Sequence, residues 1–206
     1  MDAGIEAPGL IAVAIALLTI TNPIGSVPIF LGLTAGFDAA KQRRTALLVG
    51  VAVSAVLLVS LLVGKYVLAA FGIDLTSFRI AGNLLVASIG WAMLTAKTGG
   101  PAPGGGSSPT VVPLAIPIIA GPGAISLVIT FAEQHTGVLN LIGGAIVVLV
   151  VAAAIAVVLF FAPRLQKILG NSGMNILSRI FGLILLAIAV QSIIDALTDA
   201  FPVLTR

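Results

Sequence analysis

Thr21-Asn22-Pro23-Ile24-Gly25-Ser26-Val27-Pro28 lies inside a long apolar run, and the reading of that stretch decides the fold. Pro23 and Pro28 lack amide hydrogens and crowd the preceding turn, so an unbroken helix cannot pass through both. Gly25 adds backbone freedom between them. Asn22 is a good N-cap, and Pro23 suits the first position of a half-helix that starts there. The run reads as two half-helices meeting at a break. A second stretch repeats the pattern more severely: Pro113-Leu114-Ala115-Ile116-Pro117-Ile118-Ile119-Ala120-Gly121-Pro122-Gly123-Ala124-Ile125-Ser126.

The solvent around both breaks is lipid. Of 206 residues, 59% are hydrophobic and 8% charged, against roughly 25% charged in a soluble domain. Six segments reach the roughly 20 apolar residues that a spanning helix needs: 10–33, 45–70, 78–96, 111–131, 138–162 and 179–200. The predicted fold is all-α, a polytopic integral membrane protein of six transmembrane helices whose first and fourth are discontinuous. Residues 98–109, rich in Gly, Ser and Pro, read as a flexible linker between units 1–97 and 110–206. The acidic start, Met1-Asp2-Ala3-Gly4-Ile5-Glu6, lacks the basic region of a cleavable signal, so the first apolar run is expected to be retained.

The halves match. Arg79-Ile80-Ala81-Gly82 aligns with Arg179-Ile180-Phe181-Gly182, Lys65 with Arg164, and Pro23 with Pro122, all at offsets of 99 or 100. Matches of Arg, Lys/Arg and Pro carry more weight than matches of Leu and Ala, and they indicate an internal repeat. Three helices per half is an odd number, so the second unit enters the membrane from the opposite side, as a 3+3 inverted repeat. Lys41, Arg43, Arg44, Lys97, Arg164, Lys167 and Arg179 collect on one side, which the positive-inside rule makes cytoplasmic. Both termini are then extracytoplasmic.

A break at membrane depth frees amides and carbonyls that lipid cannot satisfy. Half-helix starts offer N–H groups and partial positive charge to a carboxylate. Half-helix ends offer carbonyls to an ammonium group or cation. Two such breaks suit a small zwitterion. The substrate-binding candidates are Thr21, Asn22, Pro23, Gly25, Ser26, Ala120, Gly121, Pro122, Gly123, Ala124 and Ser126, with Asn83 as a polar group inside the third helix. Asn83 reads equally as helix glue.

Asn22-Pro23-Ile24-Gly25-Ser26-Val27-Pro28-Ile29-Phe30, with Pro113 to Pro117 and Ala120 to Ser126, resembles the MarC/SnatA family of prokaryotic membrane proteins over essentially the whole chain. The resemblance implies a secondary transporter of small neutral amino acids such as glycine and alanine, in the prokaryotic inner membrane. Family members often carry an acidic residue before the first Pro-X-Gly. Asn22 stands there in this chain, which removes a candidate ion or ammonium ligand.

Asp195 is the carboxylate best placed within a span, either as a carrier for a coupling H+ (Na+ being the other coupling ion considered) or, more plainly, as an interfacial residue. Arg79 is expected near Asp195 or Asp74. His135 reads as a solvated loop residue, and one His without Cys makes no zinc site. No cofactor is called for, and no nucleotide-binding loop of the G-x-x-x-x-G-K-[ST] type is present. The ten Lys and Arg lie at the ends of apolar runs and not in a patch, which argues against nucleic acid. The sequence lacks a nucleophile paired with a buried base, which argues against an enzyme. A small-solute channel, an exporter of other metabolites or drugs, and a structural membrane protein remain as alternatives, and a homo-oligomer is left open.

Overall fold

The structure is a computed structural model describing residues 7–34, 36–95, 119–135 and 137–201. Apart from short turns, these residues are helical: α1 (Ala7–Thr21), α2 (Ser26–Leu33), α3 (Ala39–Ala70), α4 (Leu75–Thr95), α5 (Pro122–Gln134) and α6 (Val138–Ala200). Within α6, Gly170 takes φ 63° and ψ −178°, a conformation open essentially to glycine alone. It separates two limbs of membrane-spanning length, Val138–Leu165 and Ser172–Ala200. With α3 and α4 these make four helices long and apolar enough to cross a bilayer. The bent pair Pro8–Thr21 and Ser26–Leu33, inclined at 47°, makes a fifth candidate span. The linker and the start of the expected fourth helix, including Pro113 and Pro117, lie outside the described residues.

Helix ends follow local chemistry. Asp38 caps α3 by accepting from the Lys41 amide at 2.7 Å. The buried Gln42 side chain donates to the Thr34 carbonyl at 3.1 Å, tying the end of α2 to the start of α3. At the opposite end, Asp74 accepts from the Ser77 amide and hydroxyl, both at 2.7 Å, and these bonds hold its carboxyl below the usual range. The outward faces are apolar and exposed, as at Val51, Leu62, Leu84, Val150 and Ile180, and lipid is the solvent that suits them.

The packing is antiparallel between elements that the offset of about 99 makes counterparts. A methyl placed on Gly50 of α3 would meet Ala156 Cβ at 2.7 Å, and one on Gly144 would approach Leu61 of α3 at 3.6 Å. So α3 lies against the first limb of α6. In the same way α4 lies against the second limb, where a methyl on Gly90 would sit 2.9 Å from the Gly182 carbonyl oxygen. At the far end of that pair Arg79 and Asp199 form an ion pair at 2.8 Å. The expected partners of Arg79, Asp195 and Asp74, are corrected here to Asp199. Between α1 and α5 the contacts run from Gly9 with His135 to Ile20 with Gly123. Small residues at these crossings let backbones approach, the usual basis of helix association in lipid. The arrangement is compatible with a 3+3 inverted repeat.

Orientation can be tested directly on this cysteine-free chain. Ser107→Cys, in the linker, should resist an impermeant thiol reagent in intact cells and react after the membrane is opened. Labelling in intact cells reverses the assigned topology.

Candidate functional site

At the first break, the Asn22 amide closes α1 by donating to the Leu18 carbonyl at 3.1 Å. Asn22 itself adopts φ 39°, a left-handed conformation that asparagine tolerates better than most residues. Its side-chain oxygen accepts from the Gly25 amide at 3.1 Å, and its carbonyl accepts from the Ser26 amide and hydroxyl, each at 3.1 Å. Asn22 was expected to cap a half-helix beginning at Pro23; instead α2 begins at Ser26 with Gly25 at its N-cap and no side-chain cap, and Asn22 closes the intervening turn. Three of the amides that follow Pro23, those of Gly25, Ser26 and Val27, are consumed internally. Thr21, also buried, turns its hydroxyl back to the Leu17 carbonyl at 2.8 Å. The first break satisfies most of its amides within its own turn.

The second break differs. α5 starts from Gly121 with Pro122 at its first position and no side chain capping it. The amides of Gly123 and Ala124 fall in that uncapped first turn. Ala120, Gly121, Pro122 and Ala124 are buried. Ser126, one turn along and 4% exposed, has a buried hydroxyl with no hydrogen-bond partner among the described residues. A helix start of this kind carries partial positive charge, and no side-chain cap among the described residues compensates it.

The breaks are neighbours. A methyl on Gly123 would lie 3.2 Å from Ile20 Cγ2, one residue before Thr21. Each break also rests on the last helix of the other half: Gly25 faces Phe181, and Pro122 packs on Gly82. A cavity of about 20 Å³ lies beside the first break, lined by Thr21, Asn22, Gly25 and Ser26 together with Phe181, Leu185 and Ile188. It has room for about one water molecule. A larger cavity, about 240 Å³, opens around Lys65, Tyr66 and Ile129, and neither break reaches it.

Two predicted residues stand apart from this cluster. Asn83 is buried, but its amide donates to the Arg79 carbonyl of its own helix at 2.8 Å. It does not line the cavity. Asp195 is exposed near the end of α6 and accepts from Gln191 at 2.8 Å. His135 was expected in solvent and instead stacks on Phe131, with ring centroids 4.5 Å apart. Sequence reasoning missed Phe181, although the repeat alignment sets it against the small Ala81. Among the described residues, no group of three His, Cys, Asp or Glu side chains gathers to hold a metal.

Apolar helices of membrane length, turned outward on lipid-compatible faces and built around two helix breaks, define a multi-pass integral membrane protein. The chain belongs to the MarC family: the model described as "MarC family integral membrane protein" matches residues 8–201. It is 34% identical over 196 residues to the UPF0056 membrane protein YhcE of Escherichia coli strain K12, covering 91% of each chain. It is 34% identical over 208 residues to the UPF0056 membrane protein YvbG of Bacillus subtilis strain 168, covering 95% of this chain and 97% of the relative. It is 32% identical over 203 residues to the UPF0056 inner membrane protein MarC of Citrobacter koseri, covering 90% and 92%. No solved structure matches the chain.

Proposed function

We propose that this protein is a secondary transporter of small neutral amino acids, glycine and alanine above all, working by alternating access in the prokaryotic inner membrane with both termini outside. The observation that carries the reading is the apposition of the two breaks, the first closed by Asn22 and the second without a side-chain cap. In this reading the uncapped start of α5 takes the substrate carboxylate on the Gly123 and Ala124 amides, with the Ser126 hydroxyl beside them. The carboxyl end of α1, around Thr21 and Asn22, takes the ammonium group. Gly25, Gly121, Pro122 and Gly123 bring backbone close, while Pro23, Ser26, Ala120 and Ala124 complete the wall. With room for about one water at the first break, the conformation is a closed one, and the substrate enters when the halves part. Driving ions are H+ or Na+.

The test is counterflow in proteoliposomes against a panel of amino acids. Exchange of glycine and alanine, with little exchange of leucine or charged amino acids, is the expected pattern. A folded protein that exchanges none of the small neutral amino acids ends this reading. Asp195→Asn should leave the rate and pH dependence of uptake nearly unchanged, because the carboxylate is exposed and hydrogen-bonded to Gln191 on its own helix. Loss of gradient-driven accumulation with exchange preserved would assign Asp195 the coupling proton.

A further inference from the structure

At the basic end of the molecule two arginines from different helices are held over adjacent phenylalanines. The Arg43 guanidinium of α3 lies 5.2 Å from the Phe160 ring, and that of Arg164 lies 4.8 Å from the Phe161 ring. Phe160 and Arg164 are four residues apart and Lys167 three further on, just past the first limb, so all three share one face of α6. Arg43 is thereby brought beside Arg164 and Lys167, with Arg44 next to it in sequence.

Among the described residues, no carboxylate pairs with any of these four cations, the ion pair found being Arg79–Asp199 at the other end. Asp38, an acidic residue near the start of α3, is engaged with the Lys41 amide. Arg43 Nε is buried with no acceptor, so compensation for that guanidinium has to arrive through its outer nitrogens. Gathering like charges without a counter-ion is unfavourable unless an anion bridges them. The position identifies the anion. Arg164 stands at the end of the spanning limb Val138–Leu165, and Phe161, half exposed, marks the apolar layer just beneath it. Guanidiniums at this level meet lipid phosphates, and Arg matches phosphate geometry through paired N–H donors.

We propose that Arg43, Arg44, Arg164 and Lys167 form a binding site for the phosphodiester headgroup of an anionic phospholipid. The lipid phosphate bridges α3 and the first limb of α6, with the acyl chains lying against Phe161.

Native mass spectrometry of the detergent-solubilised protein, titrated with phosphatidylglycerol or phosphatidylcholine, tests the site. Wild type should retain phosphatidylglycerol in preference. Arg164→Gln should weaken that retention about fivefold, the worth of one basic residue against an anionic lipid surface, and adding Arg43→Gln should weaken it further. Lys65→Gln, at the opposite end, should change nothing. Arg164 is exposed, so its variant remains informative if the half-buried Arg43 proves necessary for folding. Equal retention of the two lipids by wild type, or an unchanged preference in Arg164→Gln, overturns the proposal. So does displacement of the lipid by excess inorganic phosphate, which would assign the site to a soluble anion.

Discussion

Gly25→Ala should reduce solute exchange by about tenfold or more and lower thermal stability as well. A methyl at this position overlaps the Asn22 amide nitrogen, lies 2.8 Å from Asn22 Cγ and 3.0 Å from Phe181 Cδ1. Neither neighbour can give easily. Asn22 is fixed at φ 39° by the bonds that close α1 and open α2, and Phe181 belongs to a helix packed against α4. Displacing the cap costs about 1 kcal/mol, and overpacking against the ring adds about 1–3 kcal/mol. At roughly 1.4 kcal/mol per factor of ten the combined effect is large. Gly32→Ala, in α2 with open space around it, is the matched control and should behave as wild type. Gly123→Ala, with one contact at 3.2 Å, should be milder than Gly25→Ala. Gly143 makes a poor control, because a methyl there would meet Leu10 at 2.7 Å. Wild-type exchange and melting in Gly25→Ala would mean that the break is not held as described.

Phe181→Ala should change which solutes are exchanged. The ring closes the cavity opposite Thr21, Asn22 and Gly25, and its removal leaves space where a larger aliphatic side chain could lie. A pocket discriminates one methylene by roughly 1–3 kcal/mol, or about 10–200-fold. Exchange of valine or leucine relative to glycine should accordingly rise at least about tenfold. Counterflow with the same amino-acid panel reads this ratio and separates it from a general loss of activity. Continued exclusion of leucine, with glycine exchange intact, would show that another residue limits the site.

Much of this was legible from particular letters. Pro23, Gly25 and Pro28 announced a break because proline and glycine act on the backbone itself, whatever surrounds them. The apolar runs gave the long helices, and the bend between α1 and α2 falls at the expected residues. The offset of about 99 was read only as a repeat, and the antiparallel packing of counterpart elements on one another was not drawn from it. What also escaped was the side-chain detail set by tertiary contact. The two breaks look alike in sequence, yet Asn22 caps its own turn while the start of α5 has no side chain to do so. The difference depends on which side chain can fold back, and Gly121, unlike Asn22, has none. Asn83 appeared free to reach a neighbouring helix, but its own helix supplied an acceptor one turn away. Phe181 was overlooked because the alignment drew attention to matches, and the informative position was the mismatch with Ala81. Arg79 chose Asp199 over Asp195 because the partner is set by how α4 and α6 run together, which neither local sequence contains.

The crossing of α4 with the second limb of α6 has a mechanical consequence. At Gly90 and Gly182 backbone approaches backbone, with the Cβ atoms of Met93 and Leu186 beside them, so less side chain interlocks at this crossing than in a bed of interdigitated leucines. It lies about 15 Å from the Ser172 end of the limb, and Asp199 is about 25 Å along in the other direction at 1.5 Å per residue. The crossing is thus the fulcrum of an unequal lever. A tilt of about 10° there, small beside common domain rotations, swings the long arm about 4 Å at Asp199. That displacement would draw the 2.8 Å ion pair with Arg79 apart, while the Ser172 end of the limb would move about 3 Å.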